Sequence, residues 1–124
     1  MSELSYVFDR EDGSLIWGPA LHTGQFFVAA AESLSSCTRF PTGIEMLAAD
    51  WCRIHTQRFS AFVSAVIEDG WHNLAYRELI RGFVVISVVL LERLGEGTAA
   101  QALADRIGIE DSFLESMRRA TSQL

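Results

Sequence analysis

The chain has 124 residues, 49% of them apolar and 21% charged, which suits one globular domain with its own core and excludes a disordered or fibrous chain. Sixteen acidic residues against ten basic ones give a formal charge of −6, which disfavours nonspecific contact with nucleic acid or an anionic membrane. All ten basic residues are arginines, so a Schiff-base lysine, a P-loop lysine and a lysine general base are excluded.

The opening stretch MSELSYVFDREDG has neither the basic start nor the apolar run of a secretory signal. Cys37 and Cys52 are the only cysteines, and they form no CxxC pair. That usage fits a reducing cytoplasm, with both thiols expected as unpaired small core residues.

Residues 5 to 17 read as a β-hairpin. SYVF and SLIW flank a turn in which Asp12-Gly13 supplies the positive φ that tight turns need. Gly18-Pro19 then punctuates the chain, and Pro19 suits the first turn of a helix running to about Ser36. On that helix Leu21, Phe27, Val28, Ala31 and Leu34 share one face; His22, Gln25, Glu32 and Ser36 lie opposite, so His22 reads as a solvated surface residue. After the loop CTRFPTG, residues 44 to 49 fit one helical turn and 50 to 54 a short strand, although IEMLAADWCRI is ambiguous by pattern. A helix from about Thr56 places Phe59, Phe62, Val63, Val66 and Ile67 on one face and stops at Gly70.

Phe83 to Leu91 is the strongest local feature, nine consecutive apolar or near-apolar residues between charged flanks. A membrane helix needs about 20 apolar residues, so a membrane span is excluded by length. Val and Ile would suit a strand. However, Tyr76, Leu79, Ile80, Phe83, Ile86, Ser87, Leu90, Leu91 and Leu94 recur at spacings of three and four through and beyond the run. With Asn73 as N-cap and Gly95 as the terminating glycine, residues 73 to 94 form one helix. A second stripe, Arg77, Arg81, Val85, Val88 and Glu92, is polar only at its ends. Val85, Val88 and Val89 therefore need a cover, from the rest of the domain or from a second subunit. The expectation is a homodimer with these valines at or beside the seam.

Leu15, Trp17 and Pro19, then Pro41 to Ile44, Asp50, and Phe59, Phe62 and Val63 form a pattern of Leu-x-Trp-x-Pro, Pro-Thr-Gly-Ile and Phe-x-x-Phe-Val. In these motifs the chain resembles a family of small uncharacterised actinobacterial proteins over residues 6 to 94, and the lysine-free composition is compatible with a GC-rich genome. The resemblance implies no activity, and the last thirty residues lie outside it.

Few constellations point to chemistry. Glu68 and His72 have helical ligand spacing, but Gly70 and Asn73 break the helix between or beside them; His55 is far off, and no HExxH motif or cysteine cluster occurs, so no metal is expected. There is no nucleophile-elbow GxSxG and no glycine-rich phosphate cradle; no cofactor is expected. On a strand, Trp51, Arg53 and His55 would share a face, with Asp50, Cys52 and Ile54 on the other. An aromatic plane, a guanidinium and an imidazole together suit a small anion or an acidic peptide. The competing and favoured reading is the charged face of a protected edge strand. Trp17 and Trp71 read as core or interface anchors.

The C-terminal segment has the spacing of a helix-turn-helix, with Leu103 and Ala104, then Ile107, Gly108 and Ile109, then Leu114 and Met117. A DNA reader over residues 101 to 119 would present Ser112, Ser116, Arg118 and Arg119. From Glu96 onward, however, three arginines face five acidic residues, a balance of −2, so nucleic acid is not the expected partner. A helical hairpin, residues 98 to 124, packed on a 1 to 94 core is expected instead.

The fold class is therefore α+β: mainly helical, with the N-terminal hairpin, a possible third strand in a small antiparallel sheet, and a long buried helix. The leading functional expectation is a cytoplasmic interaction or accessory protein, homodimeric, acting by binding. The alternatives are a small-ligand binder or enzyme using Trp51, Arg53 and His55, and a DNA-binding regulator using the C-terminal hairpin.

Overall fold

The computed structural model of the chain describes residues 5–121. Nine elements follow in order: β1 (Val7–Asp9), β2 (Leu15–Trp17), α1 (Leu21–Thr38), β3 (Ile44–Ala48), β4 (Trp51–Ile54), α2 (Thr56–Gly70), α3 (Leu74–Arg93), α4 (Gly97–Ile107) and α5 (Asp111–Ala120). The architecture is α+β.

The N-terminal hairpin forms as its turn dictates. The Asp12 carboxylate accepts from the Ser14 amide at 2.9 Å and from its hydroxyl at 2.7 Å, and Gly13 takes φ +90°. Strand order is β2-β1-β4-β3, with antiparallel pairs at both edges and a parallel β1–β4 pair in the middle. The sheet is thus mixed, a correction to the expected antiparallel one. The cause is α1, which carries the chain from one edge to the other, so that β2 and β3 run the same way and β4 enters alongside β1.

Residues 44 to 48 are strand β3, not a helical turn. Ile44 pairs with Ile54 and Glu45 with Arg53, and these long-range pairings override the helical leaning of IEMLA. Gly43 makes the entry possible: at φ +76° a side-chain carbon there would stand 2.5 Å from the Phe59 backbone nitrogen. The first helix begins at Leu21, after Pro19, because Ala20 is still extended at φ −58° and ψ 154° and the Pro19 carbonyl accepts from the Tyr6 amide at 2.9 Å.

The long helix is framed as expected. The Asn73 side chain accepts from the Tyr76 amide at 3.0 Å, and Gly95 closes the other end at φ +89°. One core cluster runs from Tyr6 to Leu114, with Val84, Val85, Leu90 and Leu91 fully buried at its centre. α3 packs against β2, α2, α4 and α5, and most of its buried residues lie in its C-terminal half. Of the cysteines, Cys52 is buried against the Tyr6 hydroxyl at 3.4 Å, whereas Cys37 is exposed and both are free, so the expectation of two core thiols holds for only one. Desolvation raises both the Cys52 thiol and the Tyr6 phenol above their usual pKa values, which keeps the pair neutral. Among the described residues no helix is long and apolar enough to cross a membrane.

Candidate functional site

The strand face read from the sequence exists, and its alternation is as expected. Cys52 and Ile54 point into the core while Trp51, Arg53 and His55 lie on the outer side. Yet β4 is an inner strand, flanked by β1 and β3, so the protected-edge explanation is replaced by another. Each of the three side chains already has an acidic partner. The Trp51 indole Nε1 donates to the buried Asp9 carboxylate at 2.7 Å, and an Arg53 terminal nitrogen approaches the same carboxylate at 4.0 Å. His55 sits between two carboxylates, Nδ1 at 3.3 Å from Glu11 and Nε2 at 2.8 Å from Glu45. One guanidinium and one imidazole stand against three carboxylates, Asp9, Glu11 and Glu45, so the face carries no excess positive charge for an incoming anion. It joins the β1–β2 turn, β3 and β4 across the sheet.

The C-terminal hairpin forms, with Gly108 at φ +69° in its turn and Leu103, Ala104, Ile107 and Leu114 packed on the core. Ser112 and Ser116 are exposed, and Arg119, largely exposed, lies near Glu115 at 3.7 Å. Arg118 does not face outward. Its Nε and one terminal nitrogen grip Glu92 of α3 at 3.0 and 2.7 Å, and its other terminal nitrogen donates to Glu115 at 2.9 Å. Those hydrogen bonds, to Glu92 first, hold the guanidinium more firmly protonated than a free arginine. Arg93 completes the attachment by donating to the carbonyls of Ile16, Arg118 and Thr121 and to the Thr121 hydroxyl.

Val85, Val88 and Val89 are 0%, 1% and 1% exposed within the single chain. The cover they require comes from the same chain, whose β2, α2, α4 and α5 pack on α3. Within one chain these valines present almost no surface to a second copy.

An apolar cleft lies elsewhere on α3, where its N-terminal half passes α1. The cleft encloses about 410 Å³ and is lined by Trp17, Phe27, Leu34, Ile80, Phe83 and Ile86 below, with Phe26 and Leu79 on its rim. Thr23 and Ser33 are its polar members, and no charged side chain lines it. Phe26 is 74% exposed and Leu79 84% exposed, the two highest values among the exposed large apolar side chains of the described residues, which also include Leu74 and Met46. The floor is rigid: Phe27 stacks on Phe83 at 4.7 Å between centroids and meets Trp17 edge-on at 5.4 Å, and Trp17 stacks on Phe8 at 5.2 Å. Gly82 leaves a notch in one wall, since a side-chain carbon placed there would meet no atom within 4 Å.

Phe26 and Leu79 escaped the sequence reading for different reasons. Leu79 fits the inward stripe of α3, but nothing covers that stripe on the α1 side at its N-terminal end. Phe26 carries a signal: successive residues on a helix project about 100° apart, so Phe26 and Phe27 cannot both face one core.

Residues 4–123 match the profile of a family of unknown function, DUF6086. The chain belongs to that family. The match takes in the C-terminal hairpin as well, further than the resemblance over residues 6 to 94 reached. No curated protein and no solved structure matches the chain. Among the described residues no group of three or more His, Cys, Asp and Glu side chains is placed to hold a metal ion.

Proposed function

We propose that this DUF6086 chain acts by binding and that its working form is a homodimer closed across the α1–α3 cleft. The observation that carries this reading is the charge-free cleft with Phe26 and Leu79 exposed on its rim. On a chain of net charge −6, two copies repel wherever their acidic surfaces meet, and an uncharged apolar face is where they can approach. The face is also self-complementary in kind: it holds both a projecting aromatic, Phe26, and a vacant notch at Gly82. A two-fold interface brings such a pair together twice. A mid-helix glycine costs about 1 kcal/mol relative to alanine, which is explained if a side chain of the other copy enters the notch. The cytoplasmic setting rests on the sparse, unpaired cysteines, and the actinobacterial origin on the lysine-free composition; both belong to the same proposal.

Light scattering on Phe26→Glu tests the seam. That substitution puts a carboxylate where it would have to enter the opposite copy's cleft, and an exposed position tolerates it in the single chain. Monomer with unchanged circular dichroism is the expected result. A wild-type monomer, or a variant that associates like wild type, would overturn the proposal; in the first case the cleft belongs to another occupant.

A further inference from the structure

Arg77 and Arg81 stand one helical turn apart on α3 and line one side of a cleft of about 380 Å³, opposite the α4–α5 turn at Gly108. Each guanidinium lies against an aromatic ring: Arg77 is 5.9 Å from the Trp71 centroid, and Arg81 is 4.7 Å from that of Phe113. Among the described residues neither has a carboxylate partner or donates a side-chain hydrogen bond, whereas Arg53, Arg106, Arg118 and Arg119 all have acidic neighbours. Arg39 and Arg58 also lack an ion pair among the described residues, but Arg77 and Arg81 stand together on one cleft. Like charges at this spacing repel in isolation, and the aromatic rings occupy only their faces, leaving their N–H edges free.

We infer that this cleft is a binding site for a phosphoryl group of a small molecule. The two guanidinium forks rise from positions roughly 6 Å apart. A tetrahedral phosphate has oxygens enough to accept from both forks at once, whereas a single carboxylate is matched by one. Trp71, whose indole is fixed by donation to the Ile107 carbonyl at 3.2 Å, adds an aromatic wall for the remainder of the ligand. Glu78 also lines the cleft and keeps its charge at one positive in excess, which fits one phosphoryl group better than a polyphosphate. The exposed carboxylates that follow on the hairpin, Glu110, Asp111 and Glu115, oppose a nucleic-acid backbone for the same reason.

Titration of the full chain with inorganic phosphate at constant ionic strength tests the site, read by the NMR signals of the Trp71 indole and the Gly108 amide. Saturable shifts with phosphate, absent with chloride and weak with acetate, are expected. Affinity should fall about tenfold for each of Arg77→Gln and Arg81→Gln. Arg81→Lys, which keeps the charge but loses the fork, should fall in between, and it guards against misfolding of the glutamine variants. No shifts, equal shifts in the variants, acetate as effective as phosphate, or salt-sensitive binding of duplex DNA in place of phosphate would each overturn the assignment.

Discussion

Arg118 on α5 grips Glu92 on α3 through two parallel hydrogen bonds, Nε to Oε1 at 3.0 Å and a terminal nitrogen to Oε2 at 2.7 Å. The pair is half-buried, and its fork-to-fork geometry makes it stronger than an ordinary surface ion pair. Replacing Arg118 by Ala should lower unfolding stability by about 1–2 kcal/mol, against less than about 0.5 kcal/mol for Arg119→Ala. Denaturant midpoints of the two variants, with a double-mutant cycle to Glu92→Gln, measure the difference. Equal effects would show that Arg118 is an ordinary surface arginine. The sequence alone does not distinguish the two arginines, because nothing in it brings Glu92 within reach of a residue 26 positions later.

Arg93 is the second attachment of the C-terminal hairpin. Its guanidinium, which burial makes easier to deprotonate than free arginine, donates to the Ile16, Arg118 and Thr121 carbonyls and the Thr121 hydroxyl. Substituting Met keeps the apolar stem but leaves those acceptors without a donor, a cost of about 2–4 kcal/mol. Removing residues 98–124 should be worse, since Leu103, Ile107 and Leu114 would be lost from the core at about 1.5–3 kcal/mol for each large buried side chain. Thermal melts order the variants: wild type, then Arg93→Met, then the truncation. A truncated chain that melts like wild type would mean that α4 and α5 do not complete the core.

Ser87 is fully buried in α3, and its hydroxyl finds no hydrogen-bond partner among the described residues. A buried polar group in that condition costs stability, so Ser87→Ala should be neutral or stabilising by up to about 1 kcal/mol. A loss of more than that in urea denaturation would point to a partner for the hydroxyl, such as an ordered water.

Two glycines should respond in opposite ways. A side-chain carbon at Gly24 would stand 2.2 Å from the Tyr6 ring, so Gly24→Ala should destabilise strongly. At Gly82 the added methyl meets nothing, and Gly82→Ala should stabilise the single chain by about 1 kcal/mol through helix propensity. The larger Gly82→Leu should fold but fill the notch and weaken association. A Gly82→Leu chain that associates as tightly as wild type would remove the notch from the interface.

What was legible in the sequence follows from what is local. The hairpin turn at Asp12-Gly13, the Asn73 cap, the Gly95 stop and the Gly108 turn are chemical signals within a few residues, and each stands where it was read. The partner of a strand is not local: IEMLA becomes β3 only because β4 lies beside it. The valines illustrate the same division. Periodicity shows that Val85, Val88 and Val89 need a cover, but only the tertiary structure shows that they are buried within the single chain. The alternation along residues 51 to 55 is legible in the sequence, but the carboxylates that meet it, Asp9, Glu11 and Glu45, are not, because they come from other strands and a turn.

Sedimentation equilibrium tests the homodimer across the α1–α3 cleft most directly. Over a range of protein concentrations, wild type should approach twice the chain mass of 13.8 kDa, with Phe26→Glu remaining near 13.8 kDa and equally well folded. Wild-type protein that stays at the single-chain mass at every concentration, or Phe26→Glu that dimerises with the wild-type constant, would contradict it.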